Sequence, residues 1–207
     1  MKQIKVWDYP VRIFHWLFVI CFFGAFITSE SERFTLLHLS FGYVGVMLII
    51  LRILWGFVGT RYARFSSLNI NFQSIRAHIL EFSKIDTKHS KGHNPLGATV
   101  MIGLVLLFFL TAASGYYTYN NNDIAEEVHE FFGNFMMLIV SIHILAAIIM
   151  SIYERQNLII SMINGKKYGD PKEGIENEHI LVGLVFLFLA IIFMVLLISD
   201  QLPLLTQ

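Results

Sequence analysis

The chain has 207 residues, of which 56% are hydrophobic and 14% charged, and its 15 basic and 15 acidic residues cancel at pH 7. A soluble domain is usually nearer half apolar and about a quarter charged, so the composition argues against a soluble bundle. The balanced charge gives no sign of a nucleic-acid partner. The single cysteine, Cys21, excludes a disulfide framework within the chain, a C-x-x-C-H attachment motif and a cysteine-ligated iron–sulfur cluster.

Mostly apolar stretches recur along the chain, and each is long enough to cross a hydrocarbon core about 30 Å thick. They cover residues 11–28, 36–59, 96–117, 131–152 and 180–199. The polar N-terminal segment and the lack of an A-x-A-like site after the first stretch predict that this stretch is kept as a helix. We therefore predict an all-α integral membrane protein, a four-helix transmembrane bundle with a fifth, C-terminal transmembrane helix.

Basic residues are distributed unevenly between the two sides of the predicted bundle. Of the 15 Lys and Arg residues, 13 lie in the N-terminal segment and in the second and fourth connections. The other side has Arg33 among several acids, and Arg52 lies inside the second span. Connections rich in Lys and Arg stay on the cytoplasmic side. We therefore predict a cytoplasmic N-terminus and, after five spans, an external C-terminus.

Two connections are long enough to carry structure of their own. In the first, at 60–94, residues 74–82 predict a short helix lying in the membrane interface. The second is a polar, glycine-containing linker that precedes the fifth span. These features divide the chain into a four-helix domain at 1–155, a cytoplasmic linker at 156–178, and an added helix with an external tail at 179–207.

Four of the 8 histidines lie in or at the ends of the predicted spans. Ionisable residues are rare inside a membrane and mark functional sites. His129 and His143 are fourteen residues apart, so on a helix they share a face to within roughly 40° and are separated by roughly 21 Å along the axis. Because the first span runs outward and the second and fourth run inward, the depths match in pairs. His38 is level with His129 on the outer side, and His15 is level with His143 on the inner side.

Each pair brings imidazoles from two different helices, which is the geometry that grips a planar macrocycle from both faces. Imidazole is a good axial ligand for haem iron, and two axial ligands leave no open iron position, which suits electron transfer. Zinc would need about four ligands close together, which the separated pairs do not provide. We therefore predict two non-covalent haem b groups, an outer and an inner one. The predicted iron ligands are His15, His38, His129 and His143.

Glycines and arginines accompany the histidine pairs. Gly42, Gly45 and Gly133 follow their histidines by one or two turns, which suits either a broad ring near the backbone or close helix packing. Arg52 is level with the inner pair and is predicted to bind a haem propionate or another internal anion, because arginine is a forked partner for carboxylates. Arg12, near the inner start of the first span, is either such a partner or an interfacial residue that extends towards water.

At these residues the chain resembles the bacterial cytochrome b561 family, which includes the cytochrome b subunits of Ni/Fe-hydrogenases. The segments that carry the resemblance are WDYPVRIFHW at 7–16, HLSFGYVG at 38–45, LRILWGFVG at 51–59, GHNPLGA at 92–98 and the H-x13-H spacing of His129 and His143. The resemblance covers residues 7 to 155 and implies the same four histidine ligands. The fifth span is absent from the simplest members of the family.

The resemblance implies an electron carrier of the bacterial inner membrane that works between the quinone pool and a redox partner. That partner would be periplasmic or membrane-bound, such as a c-type cytochrome or a hydrogenase-like enzyme. An electron-transfer subunit is favoured over a self-sufficient enzyme because the chain has no nucleotide fingerprint, flavin site or iron–sulfur ligands. Two other functions stay open: a stand-alone superoxide:quinone oxidoreductase, and a transporter that uses the histidines as a proton or metal relay.

Polar groups at the two ends of the bundle predict where partners bind. Asp8, Arg12, Arg52 and His93 are candidates for a quinone site near the inner haem, although His93 also suits a capping role. On the outer side, acidic residues flank the outer pair and predict a docking surface for a basic redox partner. These acids are Glu30, Glu32, Asp123, Glu126, Glu127 and Glu130. The same acids would also suit ordinary external connections.

Overall fold

The computed structural model describes residues 2–68, 70–82, 92, 94–119 and 123–199. These residues form seven α-helices and a two-stranded antiparallel sheet. In chain order the elements are β1 (Lys2–Lys5), α1 (Tyr9–Thr28), α2 (Thr35–Val58), α3 (Phe72–Phe82), α4 (Pro95–Tyr119), α5 (Asp123–Tyr153), α6 (Leu158–Asn164), β2 (Lys166–Gly169) and α7 (Ile180–Ile198), with short 3-10 turns at Glu32–Phe34, Phe65–Ser67 and Pro171–Glu173.

Five helices of the described chain, α1, α2, α4, α5 and α7, are long and apolar enough to cross a membrane. They confirm the predicted spans, and every helix end but one lies within two residues of its predicted position. The exception is α5, which begins at Asp123 rather than at residue 131. Acidic residues extend this helix beyond its apolar part, where they are stabilised by the positive end of the helix dipole. The protein is an all-α, multi-pass membrane protein.

The spanning helices form two hairpins, α1 with α2 and α4 with α5, and α2 packs on α4 to join them. Glycines permit the close approaches. A Cβ added at Gly45 of α2 would collide with the ring of Phe108 of α4, and one at Gly24 of α1 would lie 2.5 Å from the ring of Phe41 of α2. Among the described residues, α5 packs extensively on α4 and not on α1 or α2. The face of α5 that carries the histidines therefore faces the first hairpin across a wider gap.

The fifth spanning helix, α7, packs against both helices of the first hairpin. Gly183 allows this approach, because an added Cβ would lie only 2.9 Å from the Cβ of Tyr9 on α1. Phe186, Ala190 and Leu197 are buried on the same helix. The added span is therefore packed into the bundle, while the division of the chain into domains stays a prediction.

An apolar layer fills the bundle halfway between the two histidine levels. Met136 lies seven residues from both His129 and His143 on α5. It is buried in one cluster with Phe22 of α1 and Phe108 of α4. Side chains from both hairpins thus separate the two histidine pairs with a tightly packed apolar layer.

The end of the bundle that carries residues 2–8, here called the N-terminal face, is covered by the segment that the sequence suggested was a linker. β1 pairs antiparallel with β2 in a register that places Lys5 opposite Lys166. Asn157 caps α6 by accepting a hydrogen bond from a backbone N–H of its first turn at 2.8 Å. Residues 156–178 therefore fold back onto the N-terminus of the chain.

The short helix expected at 74–82 is confirmed as α3, Phe72–Phe82, which packs on α4. Its place in the membrane interface stays a prediction. The other end of the bundle, with the turn at Glu32–Phe34 and the start of α5, is called the opposite face below. His93 and the tail expected at 200–207 lie outside the described residues.

Candidate cofactor sites between the helices

His38 and His129 come together between α2 and α5 near the opposite face. Their ring centroids are 5.9 Å apart, and the ring planes are nearly perpendicular at 85°. His38 lies in the first turn of α2. His129 lies in the second turn of α5, which is helical because α5 begins as early as Asp123. The structure therefore brings together the outer pair that was predicted from depth.

Backbone carbonyls of the other two helices orient the rings of this outer pair. Nδ1 of His38 donates to the carbonyl oxygen of Ala25 on α1, and Nδ1 of His129 donates to that of Thr111 on α4, both at 2.8 Å. A carbonyl can only accept a hydrogen bond, so Nδ1 carries a proton, and in the neutral imidazole the lone pair is on Nε2. Metal-binding histidines are held in this way, because the second hydrogen bond fixes the tautomer and the ring orientation.

Glycines beside the outer pair leave space for a flat group. Apart from the chain neighbours and the backbone of the same helix, no described atom lies within 4 Å of a Cβ built on Gly42, four residues after His38, or on Gly133, four residues after His129. A Cβ on Gly115 would instead lie 2.8 Å from Cε1 of His129, so this glycine makes room for the histidine ring itself. The open space at Gly42 and Gly133 fits the approach of a broad ring better than it fits close helix packing.

The inner pair, His15 of α1 and His143 of α5, lies towards the N-terminal face. The two side chains are close enough to interact electrostatically. Within the described part of the chain, the buried Nδ1 atom of His15 has no hydrogen-bond partner. The ring of His15 packs edge-to-face on that of Trp16, with centroids 5.1 Å apart and planes at 90°. The second predicted pair is therefore also brought together, but its rings are held differently.

Both predicted arginines are buried at the N-terminal face. Arg12 is 7% exposed and its guanidinium lies 4.0 Å from the centroid of the Tyr9 ring, so it does not extend into water. Arg52 is 5% exposed and donates through Nη2 to the carbonyl oxygen of Ala63 at 3.0 Å. Nε of Arg12 and Nη1 of Arg52 have no partner among the described residues. Buried cationic donors of this kind favour an anionic ligand.

Asp8, which the sequence offered only as a possible neighbour of quinone, is fully buried and joins several elements. One carboxylate oxygen accepts from the backbone N–H of Val11 at 2.9 Å and caps α1. The other accepts from Nε1 of Trp55 at 3.0 Å and from Oγ1 of Thr60 at 2.7 Å. Its charge also interacts with that of Arg52. An Asp shortly before a Pro at a helix start predicts the cap, but no sequence signal predicts the other partners.

Two further buried charges at the N-terminal face were missed by sequence reasoning. Lys167 of β2 and Glu154, directly after α5, are 7% and 6% exposed. Burial lowers the pKa of Lys167, and the charge of Glu154 partly offsets this by raising it. Nζ of Lys167 donates to the carbonyl oxygen of Gly92 at 3.4 Å and lies 5.6 Å from the centroid of the Trp7 ring. The interaction with Glu154 connects β2 to the end of α5, and the other two contacts connect β2 to Gly92 and to the N-terminal segment.

The histidines thus form a pair at each end of the bundle. In the described ranges, no three His, Cys, Asp or Glu side chains gather into a group that could hold a metal ion, whereas a zinc centre draws on about four ligands. Paired imidazoles, open space beside the outer pair, and buried arginine donors at the N-terminal face without a partner in the described chain fit a planar iron macrocycle that carries carboxylates. The residues present therefore fit haem.

A bundle of apolar helices whose interior suits such a macrocycle defines a membrane cytochrome of the b type. The chain belongs to the prokaryotic cytochrome b561 family, since the family model matches residues 6–165. The protein is accordingly a multi-pass membrane cytochrome of the b type. The matched region contains all four predicted ligands, and α7 lies beyond it.

Curated relatives have names that agree with the family. The probable Ni/Fe-hydrogenase 1 B-type cytochrome subunit of Escherichia coli (strain K12) is 29% identical over 142 residues, which cover 56% of this chain, and the chain spans 60% of that relative's length. The probable Ni/Fe-hydrogenase B-type cytochrome subunits of Bradyrhizobium diazoefficiens and Rhizobium leguminosarum bv. viciae are each 25% identical, over 79% and 83% of this chain and 85% and 92% of the relatives. No solved structure matches the chain.

Proposed function

We propose that this cytochrome carries electrons across the bilayer through two haem b groups, between a redox partner at the opposite face and quinone at the N-terminal face. His38 and His129 would hold one haem, and His15 and His143 the other. The observation that carries the proposal is the outer pair, whose rings are 5.9 Å apart with both Nδ1 atoms bonded to carbonyls. Rings fixed in this way are preorganised to bind one iron from both sides.

Arg12 and Arg52 would bind the propionates of the inner haem. Each keeps an N–H without a partner in the described chain, and each is fixed by another contact, Arg12 by the ring of Tyr9 and Arg52 by the carbonyl of Ala63. Guanidinium groups bind carboxylates through paired hydrogen bonds, and such pairing would satisfy the buried donors. When bound, the haem would supply reversible one-electron oxidation and reduction of its iron, and these side chains would fix its position and its electrostatic surroundings.

The distribution of basic residues supports this orientation of the protein in the membrane. The N-terminal face carries most of the Lys and Arg residues of the chain, so it would lie in the cytoplasm and the opposite face in the periplasm of a bacterial inner membrane. The relatives are named as B-type cytochrome subunits of Ni/Fe-hydrogenases, which supports a hydrogenase-like enzyme as the redox partner. Their names favour a partner-dependent subunit over a stand-alone superoxide:quinone oxidoreductase.

The proposal is tested with variants that each lose one predicted haem. Purified wild-type protein should contain two haems per chain, and His129→Ala or His143→Ala should contain one. A short-chain quinol added without oxygen should reduce the haem that remains in His129→Ala, where the inner site is intact. The same quinol should leave the haem of His143→Ala oxidised. The reverse pattern would move the quinone site to the opposite face, and full haem content in both variants would overturn the ligand assignment.

A further inference from the structure

The rings of the two histidine pairs are not fixed by the same kind of contact. In the outer pair, each Nδ1 atom donates to a carbonyl. The Nδ1 atom of His15 is buried and has no partner among the described residues. A ligand ring without such a bond needs another contact to fix its rotation about the bond to the metal, and this rotation tunes the metal. The ring of Trp16, edge-to-face with His15 at 5.1 Å between centroids, is in position to provide it.

Trp16 is itself anchored on its other side. Its Nε1 atom donates to the carbonyl oxygen of Met162 at 3.1 Å, in the last turn of α6. An indole has only two side-chain torsions, so a ring contact on one side and a directional hydrogen bond on the other fix its position. The orientation of His15 therefore depends on where α6 lies.

α6 is fixed in turn to α5, the helix that carries His143. The backbone N–H of Leu158, the first residue of α6, donates to Oγ of Ser151 in the last turns of α5 at 2.9 Å. α6 also packs on both α5 and α1, whereas α1 and α5 do not pack extensively on each other within the described chain. α6 is thus a brace between the two helices that hold the inner pair.

The residue that follows α6 extends the brace to Arg12. Gly165 has a φ of +78°, and an added Cβ would lie 2.7 Å from Nη1 of Arg12 and 2.6 Å from the carbonyl oxygen of Trp7. Its own carbonyl oxygen accepts from the N–H groups of Val6 and Trp7 at 2.8 and 3.1 Å. The brace therefore limits the position of Arg12 as well as that of His15.

We propose that Trp16, anchored to α6 through the carbonyl of Met162, is a positioning residue that fixes the orientation of His15. It thereby sets the low-spin signal and midpoint potential of the inner haem and leaves those of the outer haem unchanged. This inference rests on the proposed binding of a haem between His15 and His143. The competing role for Trp16, whose side chain is 37% exposed, is that of an ordinary aromatic residue at the membrane–water interface. An interfacial role needs the ring but not the bond to Met162.

The test uses the purified holoprotein with Trp16→Phe, which keeps a ring beside His15 but loses the N–H, and Trp16→Leu, which loses both. Electron paramagnetic resonance and spectroscopic redox titration follow the low-spin signal and midpoint potential of each haem. His129→Ala, which keeps only the inner haem, assigns the signals. We expect the inner signal and potential to shift in Trp16→Phe and to shift further, or to be lost, in Trp16→Leu. Met162→Leu, which retains the carbonyl, is the matched control and should leave both haems as in the wild type.

The outer haem serves as an internal control for folding in every variant. Inner-haem properties that stay at wild-type values in both Trp16 variants would overturn the inference and leave the proposed function intact. Equal shifts at both haems would also overturn it, because the effect would then be a general change of packing. A wild-type protein with a single haem, retained in His15→Ala, would instead overturn the proposed function itself.

Discussion

Trp55 donates its indole hydrogen bond to Asp8 at 3.0 Å, joining the C-terminal end of α2 to the cap of α1. The same buried carboxylate interacts electrostatically with Arg52. One side chain therefore connects the helix that carries His15 to the helix that carries Arg52, the predicted propionate partner. The relative position of these two helices at the N-terminal face depends on a charge that has no contact with water.

Replacement of this carboxylate by an amide should destabilise the protein. In Asp8→Asn one of the two accepting oxygens becomes an NH2 group, which cannot accept from Val11, Trp55 or Thr60, and Arg52 loses its countercharge. We expect the free energy of unfolding to fall by about 1–3 kcal/mol. Thermal unfolding in detergent measures the change, with Glu176→Gln, an exposed acid on the same face, as the control. Equal unfolding temperatures for wild type and both variants would contradict the structural role of Asp8.

The open space beside Gly133 predicts a selective loss of haem. Apart from the chain neighbours and the backbone of α5, no described atom lies within 4 Å of a Cβ added at this position. The polypeptide can therefore accept a leucine there, but the leucine would occupy the space of a ring held by His129. Gly133→Leu should therefore lose the outer haem and keep the inner one. Gly103→Leu is the matched control, because Gly103 of α4 has the same open surroundings and belongs to neither pair. Haem absorbance per chain measures both, and equal loss in the two variants would refute the prediction.

The buried lysine at the N-terminal face predicts a dependence of stability on alkaline pH. Burial lowers the pKa of Lys167 below its usual 10.5, so between the lowered value and 10.5 the unfolded chain binds more protons than the folded one. The free energy of unfolding should therefore rise with pH across this interval. In Lys167→Met the rise should be smaller than in the wild type. Unfolding is measured from about pH 8 upward. The control is Lys172→Met, which removes an exposed lysine and should keep the wild-type slope.

The acidic group near His129 predicts electrostatic steering of the redox partner. Glu126 and Glu127 are exposed in the first turns of α5 at the opposite face. Reversing both charges to Lys should slow haem reduction by the co-purified partner about tenfold or more at low ionic strength, and less at high salt. Glu176→Lys changes charge at the N-terminal face and should have no effect on this rate. An unchanged salt dependence in the double variant would leave the two acids without a docking role.

The spans and the histidine pairs could be predicted because both depend on constants of the helix and the bilayer. The length of an apolar stretch decides whether it crosses, and a fixed rise per residue decides which histidines are level. The apolar stretch at 131–152 could not show that α5 begins at Asp123, because apolarity marks where a helix enters the membrane and not where it begins. The carbonyls of Ala25 and Thr111 could not be foreseen, since every residue has a carbonyl and only the packing of α1 and α4 selects these two.

The contacts at the N-terminal face could not be predicted from the sequence either, and the reason is physical. β1 and β2 have four residues each, which is too short for a clear alternation of apolar and polar positions. Each strand forms only by pairing with the other, which lies far away in the sequence. Asp8, Trp55 and Thr60 come from three separate stretches of chain. Such contacts depend on how the helices are assembled, which local patterns do not encode.

The pairing of Lys5 with Lys166 has a consequence for the order in which the protein is completed during synthesis. At about 5–20 residues per second, the ribosome makes Lys166 roughly 8–30 s after Lys5. The histidines of the outer pair and both carbonyls that hold them are already present once residue 129 has been made. The α6 brace, Gly165 beside Arg12, and β2 appear only later. The growing chain can therefore assemble its outer site while the inner one still awaits its last supporting segment.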